Sequence, residues 1–308
     1  MRWNYNYAKR KHQEEIGDAG LDLQPAAEII IPQRTQHLVL SDQLHNGERM
    51  LISVSPAGIE RLRTYNAEVA IDGTFETSPR GFSQLYTLSV IIEHCSVPCV
   101  YALLPNKTLL TYTRFFRAIR DAMPAGWHPL RMMSDFERAA ISAANNIFPN
   151  TTATGCLFHF GNALFRRIQQ LPHLFTRFRE NEDTRVALRS VQAFAMFPCE
   201  LWNVVDRAAE GLGRTNNSVE AWHFIWNVHL KGNQRLSSFI RKMIEEDNMW
   251  ADRIADFQAA PADGIRGPYE RRKAKYIRQD NNLQALVADF DQRDPLEYLR
   301  ACAYHLHF

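Results

Sequence analysis

Apolar and polar residues change rhythm several times along the chain, and the changes predict an ordered set of elements. Met50-Leu-Ile-Ser-Val54 reads as a strand, and Ser55-Pro56 then supplies a cap and a first-turn proline for a helix. Three runs rich in strand-forming residues follow: Glu68–Phe75, Gly81–Ile92 and Val97–Leu104, expected as consecutive antiparallel strands. From Thr108 the period lengthens. Leu109, Tyr112, Phe116, Ile119 and Met123 recur at three- and four-residue steps and predict one apolar helix face, stopped by Pro124, Gly126 and Pro129. Leu130–Met133 reads as a short buried strand, and the helix after it carries Ala139, Ala140, Ala143, Ala144 and Ile147. Thr151–Gly155 is a further strand, ahead of a helix through Gln170.

From about 171 to 213 the pattern is helical but irregular, and reads as an insertion. A late helix begins near Asn216; Asn216, Glu220, His223 and Asn227 share one face, with Val219, Trp222 and Trp226 on the packing side. The chain therefore divides into an arm and lead-in (1–56), an α/β domain with its helical insertion (57–230) and a helical C-terminal extension (231–308). In that extension Leu283, Leu286, Phe290, Leu296, Leu299 and Cys302 are the candidates for the buried side.

Two acids interrupt this apolar pattern at strand ends: Asp72 inside Val69-Ala-Ile-Asp-Gly73, and Asp135 directly after the strand 130–133. A carboxylate in a buried run is costly unless it is paired, hydrogen-bonded or bound to a metal. Glu220 falls on the polar face of the late helix, which could present it into a site. Glu137 fits a first-turn helix acid better than a ligand. Glu220-x-x-His223 also has the spacing used by di-iron bundles, but those need two copies, and only one is present in a strand-rich chain.

Composition narrows the picture only a little. Hydrophobic residues make up 45% and charged residues 23%, which fits a globular chain, and 36 Lys+Arg against 34 Asp+Glu leaves too small a charge to signal nucleic-acid binding by itself. Local clusters carry that possibility: Arg266, Arg271, Arg272, Lys273, Lys275 and Arg278, interleaved with Tyr269 and Tyr276, suit phosphate contacts, a nuclear-localisation patch or a solvated helix face. Five dispersed cysteines and a start without a signal-peptide pattern suggest a reduced, intracellular setting. The apolar window 85–104 contains Glu93, His94 and Pro98, so it reads as two strands and not as a membrane span.

The order of elements and acids resembles the ribonuclease H-like fold of the DDE transposases. More closely, Ile71-Asp-Gly-Thr-Phe75, Val97–Lys107, Ser134-Asp-Phe-Glu137, Cys156-x-x-His159 and Thr215-Asn-Asn-x-x-Glu220-x-x-His223 resemble the transposase domain of Mutator-like elements, over roughly 57–230. Animal relatives often accompany a zinc finger of the FLYWCH type. The resemblance implies a mixed sheet with flanking helices, in which Asp72, Asp135 and Glu220 are the catalytic and metal-binding triad. Two Mg²⁺ or Mn²⁺ ions, roughly 3.5–4 Å apart, would serve in-line phosphoryl displacement. The implied reaction is DNA strand cleavage at an element end and strand transfer into target DNA, in the nucleus.

Cys156, His159, His223 and Asn216, within those motifs, and Arg271, Arg272 and Lys273, within the basic cluster, are accessory or DNA-contacting candidates. A structural Zn²⁺ at Cys156 and His159 is the lesser alternative, because it needs two further ligands that show no recognisable spacing. A buried thiol and an imidazole that orients the catalytic helix or touches DNA is the plainer reading. Expected partners are transposon ends and target DNA, a second copy of the chain, and a separately encoded DNA-recognition zinc finger; a membrane is not among them. The alternative function is a transposase-derived, non-catalytic module for DNA or protein binding.

Overall fold

The computed structural model describes residues 25–92, 95–190, 201, 205–215, 217–230, 235–259 and 274–305. Two compact units emerge, interleaved along the chain: Met1–Met132 with Glu137–Thr152 and Val219–Ala255, and Met133–Phe136 with Ala153–Ser218 and Asp256–Phe308.

Among the described residues, seven strands form one mixed sheet: β1 (Val39–His45), β2 (Glu48–Val54), β3 (Glu68–Thr74), β4 (Gln84–Ile92), β5 (Cys95–Leu104), β6 (Arg131–Ser134) and β7 (Thr152–Gly155). Their order is β1-β2-β5-β4-β3-β6-β7, and the division between the units runs through β6 and β7. The pairs β1–β2, β2–β5, β5–β4 and β4–β3 are antiparallel. Beyond β3 the direction changes. The amides of Thr152 and Cys156 donate to the carbonyls of Leu130 and Ser134, so both strands advance together, as parallel neighbours do. A mixed sheet in this order, with flanking helices, is compatible with the expected ribonuclease H-like fold. Strand β1 is an addition to the predicted set. Its residues VLSDQLH do not alternate cleanly and remain largely half-buried or exposed, as suits an edge strand.

In the first unit, side-chain alternation splits the sheet into two faces. Asp72 is opposite Thr87, and Thr87 opposite Tyr101; Gly73 is opposite Tyr86, and Tyr86 opposite Ala102. The Tyr86 face packs on helix α2 (Leu109–Ala122), with Tyr86 5.0 Å from Tyr112 and 5.3 Å from Phe115 between ring centroids. Thr108 caps that helix by accepting from the Thr111 amide. Of its predicted apolar face, Tyr112, Phe116, Ile119 and Met123 are buried, whereas Leu109, the first helical residue, is exposed; Phe115 is buried in addition. Helix α3 (Arg138–Ile147) lies against α2 through its small residues Ala140, Ala143 and Ala144.

The Asp72 face is covered by α8 (Asn217–His229) and α9 (Leu236–Ala259), through Trp222, Trp226 and Phe239 around Tyr101. Helix α1 (Pro56–Thr64), capped by Ser55 as predicted, holds α9 by a bond from Arg61 to the Asp247 carboxylate at 2.6 Å.

The second unit is helical: α4 (Leu157–Gln169), α5 (Pro172–Glu180), α6 (Glu182–Ser190), α7 (Val205–Ala209), α10 (Ala274–Ala288) and α11 (Pro295–Tyr304). Phe165 packs on Phe175 and Phe178, joining α4 to α5. Leu283, Leu286 and Tyr298 make a small core between α10 and α11, and Arg214 pairs with Asp280 at 2.9 Å. Among the described residues, no helix is long and apolar enough to cross a membrane.

Candidate active site

In the first unit, β3 delivers Asp72 to a position that is 4% exposed. Its Oδ1 accepts from the Gly73 amide at 2.8 Å, and its Oδ2 lies 3.5 Å from His223 Nδ1 on α8. Glu220 sits one turn before His223 on the same helix, half-buried, and its carboxylate and that of Asp72 offer oxygens within 4.8 Å of one another. Two residues far apart in sequence are thus neighbours because α8 covers the face of the sheet onto which Asp72 projects. Hard carboxylate oxygens this close repel one another and suit a divalent cation of the Mg²⁺ or Mn²⁺ kind.

Gly73 is required by the opposite face. A Cβ at this position would stand 2.8 Å from Gln84 Oε1 and 3.0 Å from Tyr86, and Gln84 is fully buried with its amide donating to the Tyr112 hydroxyl. That hydroxyl donates in turn to Glu137, which also accepts from Lys107 at 3.0 Å. Glu137 therefore ties α2 to the start of α3; it stands just before that helix, not in its first turn as expected, and its carboxylate serves Tyr112 and Lys107 without capping the helix. Lys107 also lies over the exposed ring of Phe75 at 4.3 Å. Asn227, on the polar face predicted for the late helix, donates to Glu76 at 2.7 Å.

Asp135, Cys156 and His159 belong to the second unit. Asp135 is half-buried between Ser134, the last residue of β6, and Phe136. Phe136 lies directly across Gly155, where any Cβ would come within 2.3 Å of its ring, and it also meets Phe160 at 5.8 Å. This packing fixes the segment that carries Asp135. Cys156 is fully buried as the residue before α4, with its amide on Ser134. His159 is half-buried on α4, beside Phe158. Asn216, Arg271, Arg272 and Lys273 lie outside the described residues.

One element of the site went unforeseen. Glu246 on α9 is 4% exposed and accepts bonds from three indoles: Trp222 and Trp250 on Oε1, each at 2.9 Å, and Trp226 on Oε2 at 3.3 Å. The signal was present in the sequence, as a glutamate one turn from Met243 and Trp250 on an otherwise apolar helix stripe.

A search of curated proteins finds no match. Residues 68–163 match the family model described as the MULE transposase domain, a stretch that includes Asp72, Asp135, Cys156 and His159 and ends before Glu220. Such a domain implies a transposase-related function, with DNA as partner and divalent metal in use, and the close carboxylates of Asp72 and Glu220 form a candidate acidic cluster for that metal. Residues 68–163, which run from β3 into α4, are thus similar to the MULE transposase domain.

Proposed function

We propose that the protein is a DDE-type DNA transposase, cleaving DNA strands and transferring them by metal-dependent phosphoryl transfer. The observation that carries this reading is the approach of the Asp72 and Glu220 carboxylates within 4.8 Å, in a chain whose residues 68–163 match a transposase domain. Asp135 is proposed as the third acid, on the resemblance of Ser134-Asp-Phe-Glu137 to the family's motif.

In this reading Asp72 and Glu220 would hold Mg²⁺ or Mn²⁺ between β3 and α8. The bound cations would supply Lewis-acid stabilisation of the phosphoryl oxygens and a more acidic attacking water or 3′-hydroxyl. The chain's own contribution is placement. The Gly73 amide and the His223 imidazole address the two oxygens of Asp72, restricting its rotamer before a ligand arrives. Burial of Asp72 excludes bulk water from that side and strengthens its pull on a cation.

The test is Mg²⁺- or Mn²⁺-dependent nicking and strand transfer on donor ends taken from the protein's own genomic locus. Wild type is compared with Asp72→Asn, Asp135→Asn and Glu220→Gln. Activity in the wild type and its loss in each folded variant supports the proposal. A wild type that binds DNA but neither nicks it nor binds metal leaves the alternative, a transposase-derived module without catalysis.

A further inference from the structure

We infer that Glu246 is a positioning residue for the acidic pair: it fixes the rotation and axial placement of α8, and through them the distance from Glu220 to Asp72. The inference rests on the proposed metal-binding role of that pair.

Helix α8 packs through Trp222 and Trp226 on Tyr101 of the sheet, and Trp226 also meets Phe239 of α9. Apolar burial of this kind is non-directional and tolerates small slides of one surface over another. Directionality comes from Glu246. Two of its three donors, Trp222 and Trp226, are on α8, one on each carboxylate oxygen. The third, Trp250, is on α9 itself, one turn after Glu246, and shares Oε1 with Trp222. Three N–H groups aimed at one side chain need an acceptor at both ends. A carboxylate supplies that without a competing donor, whereas an amide supplies it at one end only.

The carboxylate is itself anchored, because the next residue, Asp247, receives Arg61 from α1 through its side chain at 2.6 Å and its carbonyl at 3.1 Å. The chain of contacts therefore runs from α1 through α9 to two indoles of α8, and those indoles flank His223 and follow Glu220. Mg²⁺ demands near-ideal geometry at about 2.0–2.1 Å. A helix free to shift by a fraction of its rise per residue would not hold one of its ligands to that tolerance. Both oxygens of Glu246 are occupied by indoles, so it serves through α8 and not as a ligand.

The test uses the full chain and Mn²⁺ alone, with free Mn²⁺ read by electron paramagnetic resonance and the indole N–H signals read by ¹H–¹⁵N spectra. Asp72→Asn is the control for the metal site. In Glu246→Gln the Mn²⁺ dissociation constant is expected to rise by about tenfold or more, the range seen when supporting partners of metal ligands are lost. A pair of milder variants separates positioning from simple support of the fold. Trp222→Phe and Trp250→Phe each remove one bond to the same oxygen, but only Trp222 is on α8. Positioning predicts weaker Mn²⁺ binding in Trp222→Phe and wild-type binding in Trp250→Phe.

Equal effects of the two on Mn²⁺ affinity, or an affinity in folded Glu246→Gln within twofold of wild type, would overturn the inference while leaving the metal site standing. A wild type that binds no more Mn²⁺ than Asp72→Asn would overturn the metal reading, and this inference with it.

Discussion

His223 Nδ1 lies 3.5 Å from Asp72 Oδ2, and both side chains are almost fully buried. With the Gly73 amide on Oδ1, the carboxylate is addressed at both oxygens. Removing one partner of a buried polar contact leaves the other incompletely solvated. His223→Ala is therefore expected to cost about 1–3 kcal/mol of stability in the metal-free protein. Urea denaturation in the presence of a chelator measures it, and a change within the error of the wild-type value would show that the contact contributes nothing.

The carboxylates of Asp72 and Glu220 oppose each other at up to 4.8 Å, and without a cation that proximity is unfavourable. Glu220→Gln should stabilise the metal-free protein by about 1–2 kcal/mol, less than the bare Coulomb value because Glu220 is half-exposed to water. The same substitution should abolish the rise in melting temperature expected for the wild type with Mn²⁺. A variant less stable than wild type without metal would contradict the geometry.

Two glycines stand under packing that a methyl group would disturb. Gly155→Ala drives a Cβ into the Phe136 ring and should displace the segment bearing Asp135. Gly73→Ala meets Gln84 and Tyr86 directly behind Asp72. Each is expected to cost about 1–3 kcal/mol, typical of overpacking, as measured by denaturant titration. Unchanged stability in either would mean that the ring or the amide moves aside freely.

Much of this arrangement was legible in the sequence, and what was not has physical reasons. Val69-Ala-Ile-Asp-Gly73 declared both a buried strand and a misplaced charge. Ser55-Pro56 and Thr108 marked helix starts that the structure keeps, with Ser55 and Thr108 as caps. Strand β1 was not legible because an edge strand half open to water has no need of alternation. Leu109 misled because a helical period shows which residues share a face, not where along the helix burial begins. Glu220 could be placed on a face with His223, but periodicity does not reveal which strand that face meets. Glu246 went unread because its meaning depends on three indoles from two helices.

Burial pushes the Cys99 thiol from its ordinary value of 9.0 up to about 12, partly countered by the Arg61 guanidinium. Burial, reinforced by the Glu246 charge, raises the Tyr101 phenol well above 10.0. Both groups are neutral in the folded and unfolded chain below pH 9.0, so the stability they leave intact is fully present there. Above it the unfolded thiol ionises and the folded one does not, and stability falls by about 1.4 kcal/mol per pH unit for that group until its folded value is reached. Tyr101 adds a second loss as the pH passes 10.0. Equilibrium unfolding as a function of alkaline pH should show this slope, and Cys99→Ala should reduce it by the thiol's share. A slope unaffected by that change would place the thiol in water.

Asp72 and Glu220 are proposed to hold a divalent ion between them, and local cleavage of the chain by Fe²⁺ is the decisive test. Fe²⁺ substituted for Mg²⁺, with ascorbate and peroxide, generates hydroxyl radicals that cut the backbone where the ion sits, and mass spectrometry locates the cuts. Cuts beside both residue 72 and residue 220, suppressed by excess Mg²⁺ and lost from both places in Asp72→Asn and in Glu220→Gln, are the predicted result. Cuts that survive either substitution, or that fall beside neither residue, would contradict it.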